Sequence, residues 1–191
     1  MNKHKKMAIK VEGLRRFYEV ERHPEDFFPV LGSHLHSETL FGALIRWHQR
    51  GDASHSKTTY IHKASGQPFV DVHSLEGWGY IASEPEAFIK GDTICEYRRI
   101  KGCRTVSRLI AIQRQRLGSR YEKPLAFVRT LGWIPSARKN DPLRWWCSED
   151  VDDLHDLQNC DSCYVSPPWA RRSDKCRDIY GTLSNGHFEL K

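Results

Sequence analysis

Cys160-Asp161-Ser162-Cys163 sets two thiols at the spacing of half a zinc knuckle. A thiolate pair on a tight turn can hold one side of a tetrahedral ion, but a structural site needs four ligands. Cys176 with His187, or the more distant Cys147 with His155, could complete the set, although no second C-x-x-C or paired-histidine half follows. A structural zinc at Cys160, Cys163 and Cys176 therefore stands beside the plainer reading of reduced thiols. The chain also holds ten histidines. His34-Leu35-His36 would aim both rings the same way only in a strand, and His48 falls on an apolar helical stripe, where packing is the plainer role. No G-x-S-x-G, H-E-x-x-H, Walker A or G-x-G-x-x-G occurs, so no nucleophile, base and acid are assembled by sequence alone. His34, His36 and His48 are the acid–base candidates.

Charge segregation is the stronger signal. Residues 1–89 carry 11 Lys/Arg against 11 Asp/Glu, residues 90–140 carry 13 against 3, and residues 141–191 carry 6 against 10, giving the overall +6. A solvated surface normally mixes signs, so a block at +10 concentrates positive potential and favours a polyanionic partner. Within it Arg98, Arg99, Lys101, Arg104, Arg108, Arg114, Arg116, Arg120 and Lys123 are interleaved with aromatic residues including Tyr121 and Trp133. Arg171 and Arg172 form a second basic spot. Cations that grip phosphates and rings that stack bases suit single-stranded nucleic acid. The plain alternative is a solvated basic face over an aromatic core.

These residues need elements to position them. Ala8 to Glu12 alternates early, which predicts a first strand near 7–12. A polar, acidic stretch with Pro24 and Pro29 follows. Ser37 caps a helix carrying Leu40, Phe41, Leu44, Ile45 and His48, and Gly51 stops it. Residues 52–67 read as loop, and residues 69–73 and 79–83 as short strands around a turn. Arg104 to Leu117 reads as helix or strand. Ser148 caps an acidic helix with Val151, Leu154 and Leu157 inward, ended by Asn159. Its carboxylates match the helix dipole, so no magnesium site is read there. Residues 178–183 form a last strand. The expected class is α+β, with helices on one face of a sheet.

Length and composition agree with that class. With 191 residues and 39% hydrophobic content, the chain can build a core. No apolar run is long enough to span a membrane, and the basic start lacks an apolar segment behind it. Cytoplasmic location is the expectation.

In outline the chain resembles RAMP-type subunits of class 1 CRISPR effector complexes, and among them the small type IV subunit that caps the 5′ handle of the guide RNA. Four stretches carry the likeness: Ala8 to Val11 leading to Leu40-Phe41-Gly42-Ala43-Leu44-Ile45; Gly66-Gln67-Pro68-Phe69 followed by Gly77 to Ser83; Leu143-Arg144-Trp145-Trp146-Cys147 before the acidic helix; and Tyr180-Gly181-Thr182-Leu183. The family's glycine-rich loop near the C-terminus is reduced here to Gly181 and Gly186. Pro167-Pro168-Trp169-Ala170-Arg171-Arg172 stands where glycine and basic residues are usual. The resemblance implies a ferredoxin-like (RRM/RAMP-type) sheet spanning 1–191, with long loops and a basic insertion near 90–140. It also implies guide-RNA binding without catalysis and partner subunits. Metal-independent processing of guide RNA and a zinc-containing DNA-binding or adaptor role are the alternatives.

Overall fold

The computed structural model describes residues 2–35, 47, 53–75, 77–89, 91, 93–121, 144–145, 147–157, 171 and 173–191. The chain opens on a helix, α1 (Lys3–Arg22), not on the strand expected near 7–12. The short alternation at Ala8 to Glu12 is overridden by a longer rhythm. Asn2 caps the helix by accepting from the His4 N–H at 2.9 Å, and Gly13, Phe17 and Val20 fall on one buried side. Nothing interrupts the helix before Pro24, where a single 3₁₀ turn leads into the sheet.

Strands β1 (Phe27–Leu35), β2 (Ala53–His62), β3 (Pro68–Leu75), β4 (Gly79–Ser83) and β5 (Ile94–Arg99) precede α2 (Val106–Arg116). Short β6 (Arg120–Tyr121) and β7 (Arg144–Trp145) pair in parallel. Then come α3 (Cys147–His155), β8 (Ile179–Ser184) and β9 (His187–Leu190). Seven strands form one sheet in the order β4-β3-β2-β1-β5-β8-β9, with every ladder antiparallel. The α+β class stands, but the sheet is larger than a ferredoxin-like one.

β3, β4 and β8 lie where alternation placed them. β1 and β2 are corrections. Residues 52–67 were expected as loop, yet Ala53–His62 is an interior strand flanked by β1 and β3. Its Ser54, Ser56, Lys57, Thr58 and Thr59 are buried, so the burial is real while the apolar signal is absent. Pro29 is tolerated in β1 because the ladder to β5 starts at Val30, leaving that position with β2 as its only ladder neighbour. Residues 94–99, placed by the sequence in a basic insertion, form β5 between β1 and β8. The Arg104–Leu117 ambiguity resolves as helix, with Thr105 as N-cap. α3 begins at Cys147, so Ser148 lies inside its first turn, and it ends at His155 before Asp156 turns left-handed. The helix expected at 37–51 lies outside the described residues except Trp47, which is helical and exposed.

The helices α1, α2 and α3 cover one face of the sheet. Phe17 and Val20 of α1, Val106, Leu109 and Ile110 of α2, and Leu154 of α3 pack on Phe27, Tyr60, Val70, Val72, Tyr80 and Ala82. The other face carries Val30, Ile61, Cys95, Tyr97, Tyr180 and Leu183. The sheet curls toward that second face: the Tyr180 hydroxyl of β8 donates to the Gly66 carbonyl in the β2–β3 turn at 2.9 Å, across three ladders. No helix of the described residues is long and apolar enough to cross a membrane.

α1 lies unusually close to the sheet edge. A Cβ at Gly13 would sit 2.0 Å from the Ala82 carbonyl oxygen and 2.7 Å from Ser83 Cα, both backbone. Gly13→Ala is therefore expected to destabilise by about 2–3 kcal/mol despite alanine's better helix propensity, because the helix must lift. Urea unfolding of the variant checks this, and an unchanged midpoint would show that α1 is not seated on β4 in this way.

Candidate functional site

Side chains two apart on a strand share a face, so His55, Lys57 and Thr59 of β2 point one way. Antiparallel pairing aligns them with His34 and Gly32 of β1, Asp71 of β3, and Cys95 and Tyr97 of β5. The result is a polar layer on the face opposite the helices. Lys57 is buried, and its ammonium donates to the Asp71 carboxylate and to His34 Nε2 at 3.0 Å. Thr59 donates to the other Asp71 oxygen at 2.6 Å. Gly32 makes room for the lysine stem, since a Cβ there would meet Lys57 Cγ and Cε at 2.8 Å. The Tyr97 ring lies 5.8 Å from the ammonium.

Burial alone would lower the Lys57 pKa. Asp71, with Cys95 beside it, outweighs that, and the lysine is held above its ordinary value as a fixed positive charge. The same charge acts on the histidines. His34, His55 and His73 form a row across β1, β2 and β3, with ring centroids 5.1 Å and 5.0 Å apart. Burial lowers all three, and Lys57 lowers them further: His55 to about 3, His34 and His73 well below the usual range. They are neutral imidazoles. Because His34 Nε2 accepts from Lys57, its proton belongs on Nδ1. His55 Nε2 lies 2.8 Å from His73 Nδ1, and His73 Nε2 lies 3.2 Å from Ser83 Oγ, so one proton order runs along the chain. Phe88 covers its far end, 5.5 Å from the His73 ring. His55 is the partly exposed member. Chemically the layer offers neutral proton acceptors beside an immobile cation. The buried Cys95 thiol is raised by burial and is no ready nucleophile.

Of this group the sequence singled out His34 as an acid–base candidate and Tyr97 only as an aromatic of the basic block. His36 and His48 lie outside the described residues. The overlooked signal was the period-two pattern His55-x-Lys57-x-Thr59 and Asp71-x-His73.

The basic residues divide by environment. Arg116 is buried on the helix side, where it donates to Asp150 at 2.7 Å and to Asp153, while the Tyr80 hydroxyl donates to Asp150 at 3.0 Å. Asp150 is fully buried, and burial raises it to about 6 against the pull of Arg116. Arg116 thus engages Asp150 and Asp153 of α3 and leaves the surface set. Beside it, His155 Nε2 lies 2.9 Å from the Thr58 hydroxyl, and burial lowers that ring to about 3. Arg98 and Arg171 both pair with buried Glu96, Arg171 at 2.7 Å. Burial raises Glu96, but these two hydrogen-bonding guanidinium groups outweigh it and hold the carboxylate below its ordinary value. Arg99 lies 4.8 Å over the Tyr180 ring. Lys101 meets Asp178 at 3.5 Å, Arg104 donates to the Asp153 carbonyl at 3.1 Å, and Arg114 pairs with Glu21 at 2.7 Å on an exposed surface. Arg108 and Arg120 are exposed with no acidic partner among the described residues. Tyr121 lies in β6, while Lys123, Trp133 and Arg172 lie outside the described residues.

For the thiols, Cys176 is buried beside Leu31, Ile100, Val151 and Leu157, and burial pushes it up to about 12. Cys160 and Cys163 lie outside the described residues. Among the described residues, His23, Glu25 and Asp26 bring three ligand-type atoms within 4.8 Å, all on an exposed turn. Comparison with protein-family models, curated proteins and solved structures yields no match.

Proposed function

We propose that the chain binds single-stranded nucleic acid, RNA by its sequence resemblance, as a non-catalytic subunit of a ribonucleoprotein. The observation that supports this is where the basic block leaves its cations. α2 buries Val106, Leu109 and Ile110 and turns Arg108 and Arg114 outward, with exposed Lys101 on the turn before it and exposed Arg120 at the start of β6. Rigid seating of the helix holds these charges at fixed spacing, which suits a phosphate backbone. The reading does not require a ferredoxin-like core.

Binding to a single-stranded RNA measured by fluorescence anisotropy tests it. Four phosphate contacts give a log–log salt slope of about −2.8, or about a 50-fold loss between roughly 50 and 200 mM salt. Arg108→Glu, Arg114→Glu and Arg120→Glu together are expected to weaken binding by at least about tenfold for all sequences alike. Arg116 is left alone because its change would break the Asp150 pair. Undiminished affinity in the triple variant rejects this placement. RNA shortened in the presence of chelator would instead select metal-independent cleavage, for which partly exposed His55 is the candidate proton acceptor and Lys57 a fixed positive charge.

A further inference from the structure

Four apolar residues of α1 lie outside its buried set of Gly13, Phe17 and Val20. Met7, Val11, Leu14 and Tyr18 follow one another at spacings of four, three and four, the a/d rhythm of a coiled-coil seam. At 100° per residue they fall within an arc of about 60°, well away from Gly13, Phe17 and Val20. Met7 is 58% exposed, Val11 59% and Tyr18 38%. Of six large apolar side chains exposed among the described residues, three are on this one line. Ordinary surfaces scatter such residues singly. Beside the seam runs a groove of about 410 Å³ between α1 and α2, whose lining includes Lys10, Leu14, Tyr18, Ile81, Arg114 and Leu117.

We propose that this seam and groove dock an amphipathic helix of a partner protein, with an apolar stripe and acidic residues flanking it. Charge selects this occupant. The seam is bordered by Lys3 and Lys10 on one side and Arg15 and Arg22 on the other, the positions that pair across a helix–helix contact. Arg15 is shared with Glu12 and Glu19 on its own helix. Lys3, Lys10 and Arg22 have no acidic partner among the described residues. A second copy of the chain would oppose cation to cation in either orientation, whereas Asp or Glu at the flanks would meet all three. A seam two residues in seven wide is also narrower than the apolar face of a helix that lies in a membrane surface. A nucleic-acid backbone has no apolar stripe to fill it.

The test uses the whole chain and two synthetic three-heptad peptides, both with leucine at a and d, one with glutamate and one with lysine at e and g. The glutamate peptide is expected to bind at least about tenfold more tightly than the lysine peptide. Val11→Glu should remove that binding by about tenfold or more without moving the thermal midpoint, because the position is exposed. Lys3→Glu, Lys10→Glu and Arg22→Glu together should reverse the preference between peptides. Equal binding of the two peptides, or an unreversed preference, overturns the proposal. So does a Val11-dependent dimer in sedimentation velocity, or binding to phosphatidylserine vesicles in place of the peptide. RNA affinity that falls with Val11→Glu would likewise assign the seam to nucleic acid and overturn it, whereas the RNA reading itself stands or falls on the α2 variant.

Discussion

Asp71→Ala is expected to lower the unfolding free energy by about 3–5 kcal/mol, the largest loss from any single change at the polar layer. The carboxylate accepts from Lys57 and Thr59, and both donors are buried. Without it a buried ammonium remains between strands with only uncharged partners, the His34 nitrogen and the Cys95 thiol, and the threonine hydroxyl loses its acceptor. Lys57→Met with Asp71→Leu removes both charges together and should recover more than half of the loss, since the desolvation penalty disappears with the pair. The recovery is incomplete because His34 Nε2 and the Thr59 hydroxyl lose their partners. Chemical denaturation of the single and double variants measures both quantities. A double variant no more stable than Asp71→Ala would mean that the pair stabilises the sheet outright, not merely that breaking it is costly.

Mild acid should destabilise the protein well above the pH at which ordinary carboxylates protonate. His34, His55, His73 and His155 all have folded-state values below the unfolded 6.5. Between those values the unfolded chain binds more protons, so stability rises with pH and is lost as pH falls below 6.5. His55 and His155, each at about 3, should cost about 2 kcal/mol apiece between pH 7 and 5, the slope approaching about 1.36 kcal/mol per unit once the unfolded ring is protonated. His34 and His73 add in the same direction. Asp150 works the other way. Raised to about 6, it takes up a proton in the folded state first and returns about 1.4 kcal/mol between pH 7 and 5. Glu12, held at about 2 by Arg15 and Arg16, acts only below pH 4.5. Urea midpoints at pH 7 and pH 5 should therefore differ clearly, and His55→Asn should reduce the proton uptake on unfolding by about one. Equal midpoints would show that these rings are not held neutral in the folded protein.

What the sequence revealed followed from pattern strength. β3, β4 and β8 alternate, so they were readable, whereas Arg104 to Leu117 carried a helical stripe among closely spaced arginines and read as helix or strand. β1 and β2 were not, because proline marks the first and buried serine, threonine, histidine and lysine mark the second, all residues whose usual place is outside. The site shares that difficulty. His34 drew attention as part of a histidine pair, but its real companions arrive from β2, β3 and β5, and only the register brings them together. Charge segregation was legible as a sum over residues 90–140. Which arginine turns inward was not: Arg116 and Arg108 look alike in sequence, and the buried Asp150 of α3, which accepts from Arg116, decides between them.

The centre of the sheet joins distant stretches of chain. β1 pairs with β2 on one side and on the other with β5, which begins at Ile94. During synthesis the β1–β4 meander emerges first, and the Val30–Leu35 edge must wait bare until β5 arrives. A bare, apolar edge at that stage invites pairing with another nascent chain. Gly32, Ser33 and His34 interrupt that edge. The polar residues that look out of place in a finished core therefore also serve as gatekeepers for the unfinished one.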